Sequence, residues 1–252
     1  MISVNNLHKS FGDKNVLKGI SVKFEQGKTN LIIGQSGSGK TILLKSIVGL
    51  VEITSGEIYY DNVRFDDLEF KAKKEIRKQI GMLFQGSALF DFATVEENVM
   101  FPLEMFSDMS YRERKERADF CLNRVNIVNA NKLYPSEISG GMQKRVAIAR
   151  AIALNPRYLF CDEPNSGLDP RTSILIDNLI KEITEEYKIT TIVNTHDMNS
   201  VMEIGDTVTF IYEGRKWWSG NKDDILHSDN KELNDFVFAS KMAGLLKKYV
   251  NI

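Results

Sequence analysis

The chain has 252 residues, 42% of them hydrophobic, enough for one large domain or a domain carrying a smaller lobe. With 33 Lys and Arg against 34 Asp and Glu, the formal net charge is -1, which excludes a chain-wide electrostatic attraction to nucleic acid or anionic lipid. Cys121 and Cys161 are too few for a disulfide framework, and no apolar run approaches the roughly 20 residues of a spanning helix, so work at a membrane requires another chain.

The first residues, "MISVNNLHKSFG", lack the charged-then-apolar layout of a signal peptide, so the expected compartment is the cytoplasm. "ISVNNLHKSF", "VLKGISVKFEQGK", "TNLIIG" and "GEIYYDN" read as strands separated by turns. Between the last two, "GQSGSGKT" is followed by "ILLKSIVGL", whose apolar spacing is helical, giving strand, glycine loop and helix in the order phosphate binding requires. "IGMLF" predicts a further strand ending before Gln85. From about Glu96 to Leu154 the pattern turns helical; "SYRERKERADFCLNRVNIV" carries Phe120, Leu122 and Val125 against a charged face on which Glu113 and Arg117 are spaced to pair. "RYLFCDEP" and "TTIVNTHD" read as buried parallel strands with "SILIDNLIKEITEEY" as their crossover helix. "DTVTFIYEGRKWWSG" predicts a hairpin turning at Glu213 and Gly214, and an amphipathic helical tail follows. The class is α/β, with a β-rich start and an inserted helical lobe.

Gly34, Gln35, Ser36, Gly37, Ser38, Gly39, Lys40 and Thr41 form a P-loop: glycines let backbone N–H groups wrap phosphates, Lys40 reaches the β and γ oxygens, and Thr41 offers a hydroxyl to Mg²⁺. Asp162 and Glu163 end an apolar strand, where the first can hold Mg²⁺ and the second can act as base on an attacking water. "ISGGMQKR" is a second glycine-rich helix start, able to aim N–H groups, the Ser139 hydroxyl and a helix dipole at an anion. Since the P-loop surrounds its own nucleotide, Ser139, Gly140 and Gly141 are expected to serve the nucleotide of a second copy across a two-fold interface.

With these pieces in this order the chain resembles the ATPase subunits of ABC transporters over about residues 3–219, leaving residues 220–252 as a C-terminal helical tail with a dimer contact as its expected role. The resemblance implies a P-loop ABC ATPase core in residues 1–219, with an N-terminal antiparallel β subdomain and an α-helical subdomain inserted at about residues 86–154. It implies ATP and Mg²⁺ as cofactors, with Phe11 stacking on adenine and Gln85 touching Mg²⁺ and the attacking water. It places His196 on the γ-phosphate and Asp169 of "SGLD" at the dimer interface. The departures are Met142, where many relatives carry glutamine, and Asn165, where threonine is frequent; neither removes Ser139, Gly140 or Gly141.

Residues 82–103, "MLFQGSALFDFATVEENVMFPL", together with "SGGMQKRVAIARAIA", look like the ATPases of Mla/Mce-type phospholipid transport systems, although here the order is Gly86, Ser87, Ala88, Leu89, Phe90. Leu89, Phe90 and Phe92 would receive a coupling helix of a permease or pack the lobe's own core, and Phe236, Phe238, Leu245 and Leu246 of the tail would cover a neighbouring copy or pack on their own domain. The implied partners are a second copy, an integral-membrane permease and an Mce-type lipid-binding protein, at the cytoplasmic face of the inner membrane and without nucleic acid. The alternatives are a lipoprotein or macrolide exporter ATPase and, in another class, a soluble ABC-type ATPase acting on nucleic acid or the ribosome. Against that class, the interval between the two glycine motifs carries no sustained heptads, and the chain carries one such domain.

Overall fold

The computed structural model of the chain describes residues 1–239, so the expected role of Leu245 and Leu246 falls outside the described residues. Two compact units are formed, one from Met1–Leu68 with the chain from Ile192 onward, the other from Glu69–Thr191.

The first unit opens with β1 (Ile2–Phe11) and β2 (Lys14–Phe24), an antiparallel pair. The five residues of β3 (Thr29–Ile33) are all buried, and the strand runs towards α1 (Lys40–Ile47). β4 (Ser55–Tyr60) returns to pair with β1, and β5 (Val63–Arg64) closes that sheet in the order β2-β1-β4-β5. Alternation puts Ile2, Val4, Ile20, Val22 and Ile58 inside while their neighbours face out, the period-two pattern of a half-buried sheet. The Tyr60 hydroxyl donates to the carbonyl of Ile47 at 3.0 Å, tying this sheet to the end of α1.

The second unit contains α2 (Phe70–Arg77), β6 (Ile80–Leu83), α3 (Val95–Phe106), α4 (Tyr111–Arg124), α5 (Gly140–Ile152), β7 (Tyr158–Asp162) and α6 (Pro170–Tyr187). β6 and β7 pair in parallel. Thr94 and Glu97 start α3, and Ser110 and Glu113 start α4, each as a reciprocal capping box worth about 1 kcal/mol per cap. The Glu113 carboxylate is therefore spent on Ser110 rather than on Arg117, contrary to the expectation from spacing. Arg117 crosses to the far end of α5, where its guanidinium donates to the carbonyls of Ile152 and Ala153, each at 2.9 Å. Carbonyls at a helix end lack intrahelical partners, so the fork is better used there than on an exposed carboxylate. α2 escapes the sequence reading because none of its residues is buried, which leaves no apolar stripe to detect.

β8 (Thr190–Thr195), buried throughout, carries the chain across the boundary at Ile192 into the first unit. There α7 (Met198–Ile204), β9 (Thr207–Tyr212), β10 (Arg215–Gly220), α8 (Lys222–Leu226) and α9 (Lys231–Val237) follow. β9 lies parallel to β3 and antiparallel to β10, and the hairpin turns at Glu213 and Gly214, with φ of 48° and 77°. The described part of the tail packs on its own hairpin: Phe236 sits 5.5 Å from the Phe210 ring, and Trp217 Nε1 donates to Glu232 at 2.9 Å.

Cys121 and Cys161 are free and fully buried, one on α4 and one on β7. Burial pushes the Cys121 thiol up to about 11 and raises the Cys161 thiol as well. A thiolate is the reactive form, so the native protein is expected to resist Ellman's reagent at about pH 8, with both thiols titrating only after denaturation. Rapid labelling of either thiol without denaturant would contradict this packing.

Candidate active site

In the first unit the phosphate loop begins where β3 ends. Gly34 has φ of 149°, and a Cβ there would come within 2.2 Å of the Ile211 carbonyl oxygen, so no side chain fits. Lys40 is 6% exposed, and its ammonium donates to the carbonyls of Gly34 at 2.8 Å and Gln35 at 3.0 Å. Burying an ammonium is costly unless its protons are accepted, so these bonds curl the loop around Lys40. The hairpin braces the loop from behind: Gly214 N donates to Ser38 O at 3.1 Å. Thr41 Oγ1 accepts from Asn194 Nδ2 of β8 at 3.2 Å.

Two features of this loop call for an anion. The Ser38 hydroxyl is buried with no hydrogen-bond partner among the described residues, and α1, with Gly39 as its cap residue, has no side-chain cap at the helix end that favours negative charge. The cradle therefore fits the phosphates of ATP, and Thr41 is an oxygen donor of the kind Mg²⁺ accepts. Phe11 is 49% exposed, its ring face covered by Lys9 Nζ at 4.6 Å, and His196 lies exposed just after β8.

In the second unit, Asp162 is buried at the end of β7, and Glu163 follows with φ of 50°. A non-glycine residue in that region carries about 1–3 kcal/mol of strain and turns the chain sharply off the strand. Gln85 is exposed after β6, its Nε2 3.5 Å from the Ser166 hydroxyl and its carbonyl accepting from the Lys144 ammonium. Burial lowers the Lys144 pKa, against the opposing pull of Cys161, Asp162 and Glu163. Beyond Gln85, Ser87 and Ala88 are both left-handed, and the Arg150 guanidinium donates to their carbonyls at 2.8 and 2.7 Å. Fully buried Asn98 closes the same loop: its Oδ1 accepts from Phe90 N at 2.8 Å, and its Nδ2 donates to the carbonyls of Phe90, Ala93 and Thr94.

α5 begins at Gly140 with Ser139 as its cap, the hydroxyl accepting from Met142 N at 3.3 Å. Ser139 and Gly140 are exposed, whereas a Cβ on Gly141 would approach Thr172 Cγ2 to 2.6 Å. A cavity of about 300 Å³ opens here, lined by Ser139, Gly141, Leu168, Asp169 and Thr172. Asp169 caps α6, accepting from the amides of Arg171 and Thr172; the Thr172 hydroxyl bond, at 2.5 Å, is the main reason its carboxyl lies below the usual carboxylate range.

The expected residues thus fall into two sets. Phe11, the P-loop from Gly34 to Lys40, Thr41 and His196 belong to the first unit; Gln85, Ser139, Gly140, Gly141, Asp162, Glu163 and Asp169 belong to the second. Four side chains that shape these sets escape the sequence reading: Asn98, Lys144, Arg150 and Asn194. Only Arg150, between Ala149 and Ala151, stands out in the sequence as a polar residue among apolar ones; Asn98, Lys144 and Asn194 each have a polar neighbour and carry no such signal.

Comparison with known proteins gives a family match, described as ABC transporter, over residues 17–166. The methionine import ATP-binding protein MetN of Clostridioides difficile (strain 630) is 38% identical over 252 residues, spanning 100% of this chain and 78% of that one. The dimeric post-hydrolysis structure of the ATP-binding cassette MJ0796 bound to ADP and Pi is 35% identical with a TM-score of 0.80, covering 88% of this chain and 99% of that one. The structure of cbiO1 from Clostridium perfringens, part of the ABC transporter complex cbiONQ, is 30% identical with a TM-score of 0.83, covering 100% and 98%.

Proposed function

We propose, from the premise that the chain belongs to the ABC transporter family and is an ATP hydrolase using ATP and Mg²⁺, that two copies close around two nucleotides to drive a permease moving phospholipid between membranes. At the coarser level it is an ABC transporter ATPase subunit that drives a permease. No helix among the described residues is long and apolar enough to cross a membrane, and the proposed location is peripheral, at the cytoplasmic face of the inner membrane. The observation that carries the dimer reading is the exposed start of α5, where Ser139 and Gly140 form an anion-ready helix end on the second unit while the P-loop sits in the first.

Each residue then has a task. Lys40 and the loop amides grip the β and γ phosphates, and Phe11 offers a ring face to adenine. Thr41 and Asp162 each offer an oxygen to Mg²⁺, which when bound neutralises charge developing on the phosphates. Gln85 orients the attacking water, Glu163 takes its proton, and His196 contacts the γ-phosphate. Ser139, Gly140 and Gly141 reach the nucleotide of the other copy, with Asp169 shaping the interface.

The phospholipid reading is supported by the likeness of residues 82–103 to Mla/Mce-type ATPases. That segment presents Phe90, Phe92 and Phe101 as an aromatic cluster, with ring centroids 5.5 and 4.7 Å from Phe90 and Phe92 83% exposed, a surface suited to an apolar permease helix. The name of the MetN relative favours a second reading, amino-acid import. Tagged protein purified in mild detergent from its native membranes is expected to bring a permease, an Mce-type lipid-binding protein and phospholipid, identified by mass spectrometry. A permease with an amino-acid-binding protein would assign the second cargo instead. A permease with neither would return the exporter alternative, and no membrane partner would overturn the transport reading.

A further inference from the structure

The start of α5 and the loop after β6 are joined by contacts that neither helix formation nor phosphate binding requires. Lys144, 4% exposed, donates from its ammonium to the carbonyl of Gln85. Arg150, further along the same helix, donates to the carbonyls of Ser87 and Ala88. These carbonyls lie outside any strand or helix, so α5 supplies the donors that ladder pairing would otherwise provide. Gln85 is the point of convergence: its backbone is held by the helix that starts at Ser139, and its carboxamide reaches Ser166 in the loop before Asp169.

We propose that Lys144 is a positioning residue for Gln85, pinning its carbonyl so that the carboxamide keeps one orientation and the loop moves together with α5. This rests on the reading of Gln85 as a residue used in turnover. The alternative is a buried lysine that only stabilises the unit. A leucine or methionine would fill the same space at no desolvation cost, yet would leave the Gln85 carbonyl without its donor.

The test uses the full chain. Lys144→Met keeps the apolar stem and removes the donor. Its kcat is expected to fall about tenfold or more, the scale of misplacing an orienting group, while Kd for ATP, measured by calorimetry, stays within about twofold. Amide hydrogen exchange across residues 86–88 should accelerate without nucleotide, and Lys144→Arg should restore both protection and turnover. In a Gln85→Ala background, Lys144→Met should cost nothing further. Unchanged exchange, or a full additive cost in that background, would overturn the proposal. Gln85→Ala turning over like the wild type would overturn the reading of Gln85 and the positioning role with it. Impaired Gln85→Ala beside an additive Lys144→Met would overturn the positioning role alone. Should Lys144→Met not fold, Lys144→Gln, which loses the charge and shortens the reach, takes its place in every comparison.

Discussion

Glu163→Gln is expected to bind ATP as tightly as the wild type and to hydrolyse it more slowly by about 10²–10⁴-fold, the usual contribution of a positioned general base. The carboxamide keeps the size and loses the basicity. Glu163 carries backbone strain at φ of 50°, and glutamine at the same position carries the same strain, so Tm should not move. A turnover loss at constant Tm then isolates the chemistry of the carboxylate from its packing. With ATP present the variant should accumulate as a stalled dimer, visible as an ATP-dependent shift in size-exclusion chromatography. Glu163→Gly gives the complementary result, with turnover equally impaired and the strain relieved. Wild-type kcat in Glu163→Gln would remove the base role from this residue.

Lys40→Ala acts at the opposite step. The ammonium accounts for two charge-assisted bonds inside the loop, to Gly34 O and Gln35 O, and Lys40 is the first residue of α1. Removing it takes the ammonium from the buried Gly34 carbonyl, leaves Gln35 O with the Ser38 amide alone, and deprives the phosphates of their charge partner. At about 1.5–3 kcal/mol for each charged hydrogen bond, the combined cost is about 3 kcal/mol or more, so Kd for ATP should rise on the order of 100-fold or beyond. Calorimetric titration with ATP measures this directly. A Kd within about threefold of the wild type would show that backbone amides alone hold the phosphates. The two variants are separable in one experiment: one fails to bind, the other binds and does not turn over.

The parts of the site visible in the sequence are those built from consecutive residues. The run from Gly34 to Thr41 makes a loop by itself, Asp162 and Glu163 close one strand, and Ser139 caps the helix that follows it, so each chemistry is written within a few positions. The polar side chains that brace these loops act at long range, Lys144 on Gln85 across 59 positions and Asn194 on Thr41 across 153, and no local pattern encodes such a bond. The Glu113 and Arg117 spacing misleads for the same reason. A helical spacing of four permits a pair, but Ser110 and the end of α5 offer those groups better partners. The fold was visible wherever continuous burial left a short run readable as a strand, as in β3, β7 and β8, and hidden in α2, where nothing is buried. Asn98 is a further polar brace, the hub that fixes the loop running from Phe90 to Thr94.

The first unit is discontinuous, and this sets the order in which a growing chain can assemble. During synthesis residues 69–191 leave the ribosome as one uninterrupted segment with its own strand pair and helices. The phosphate loop emerges earlier, yet Asn194, Ile211 and Gly214, which back it, emerge only after that segment. The nascent chain therefore carries its complete glycine motif throughout the synthesis of residues 69–191 without the hairpin that shapes it. Nucleotide binding becomes available only once the hairpin of β9 and β10 has been made, so a fragment released before it holds the motif without a competent site.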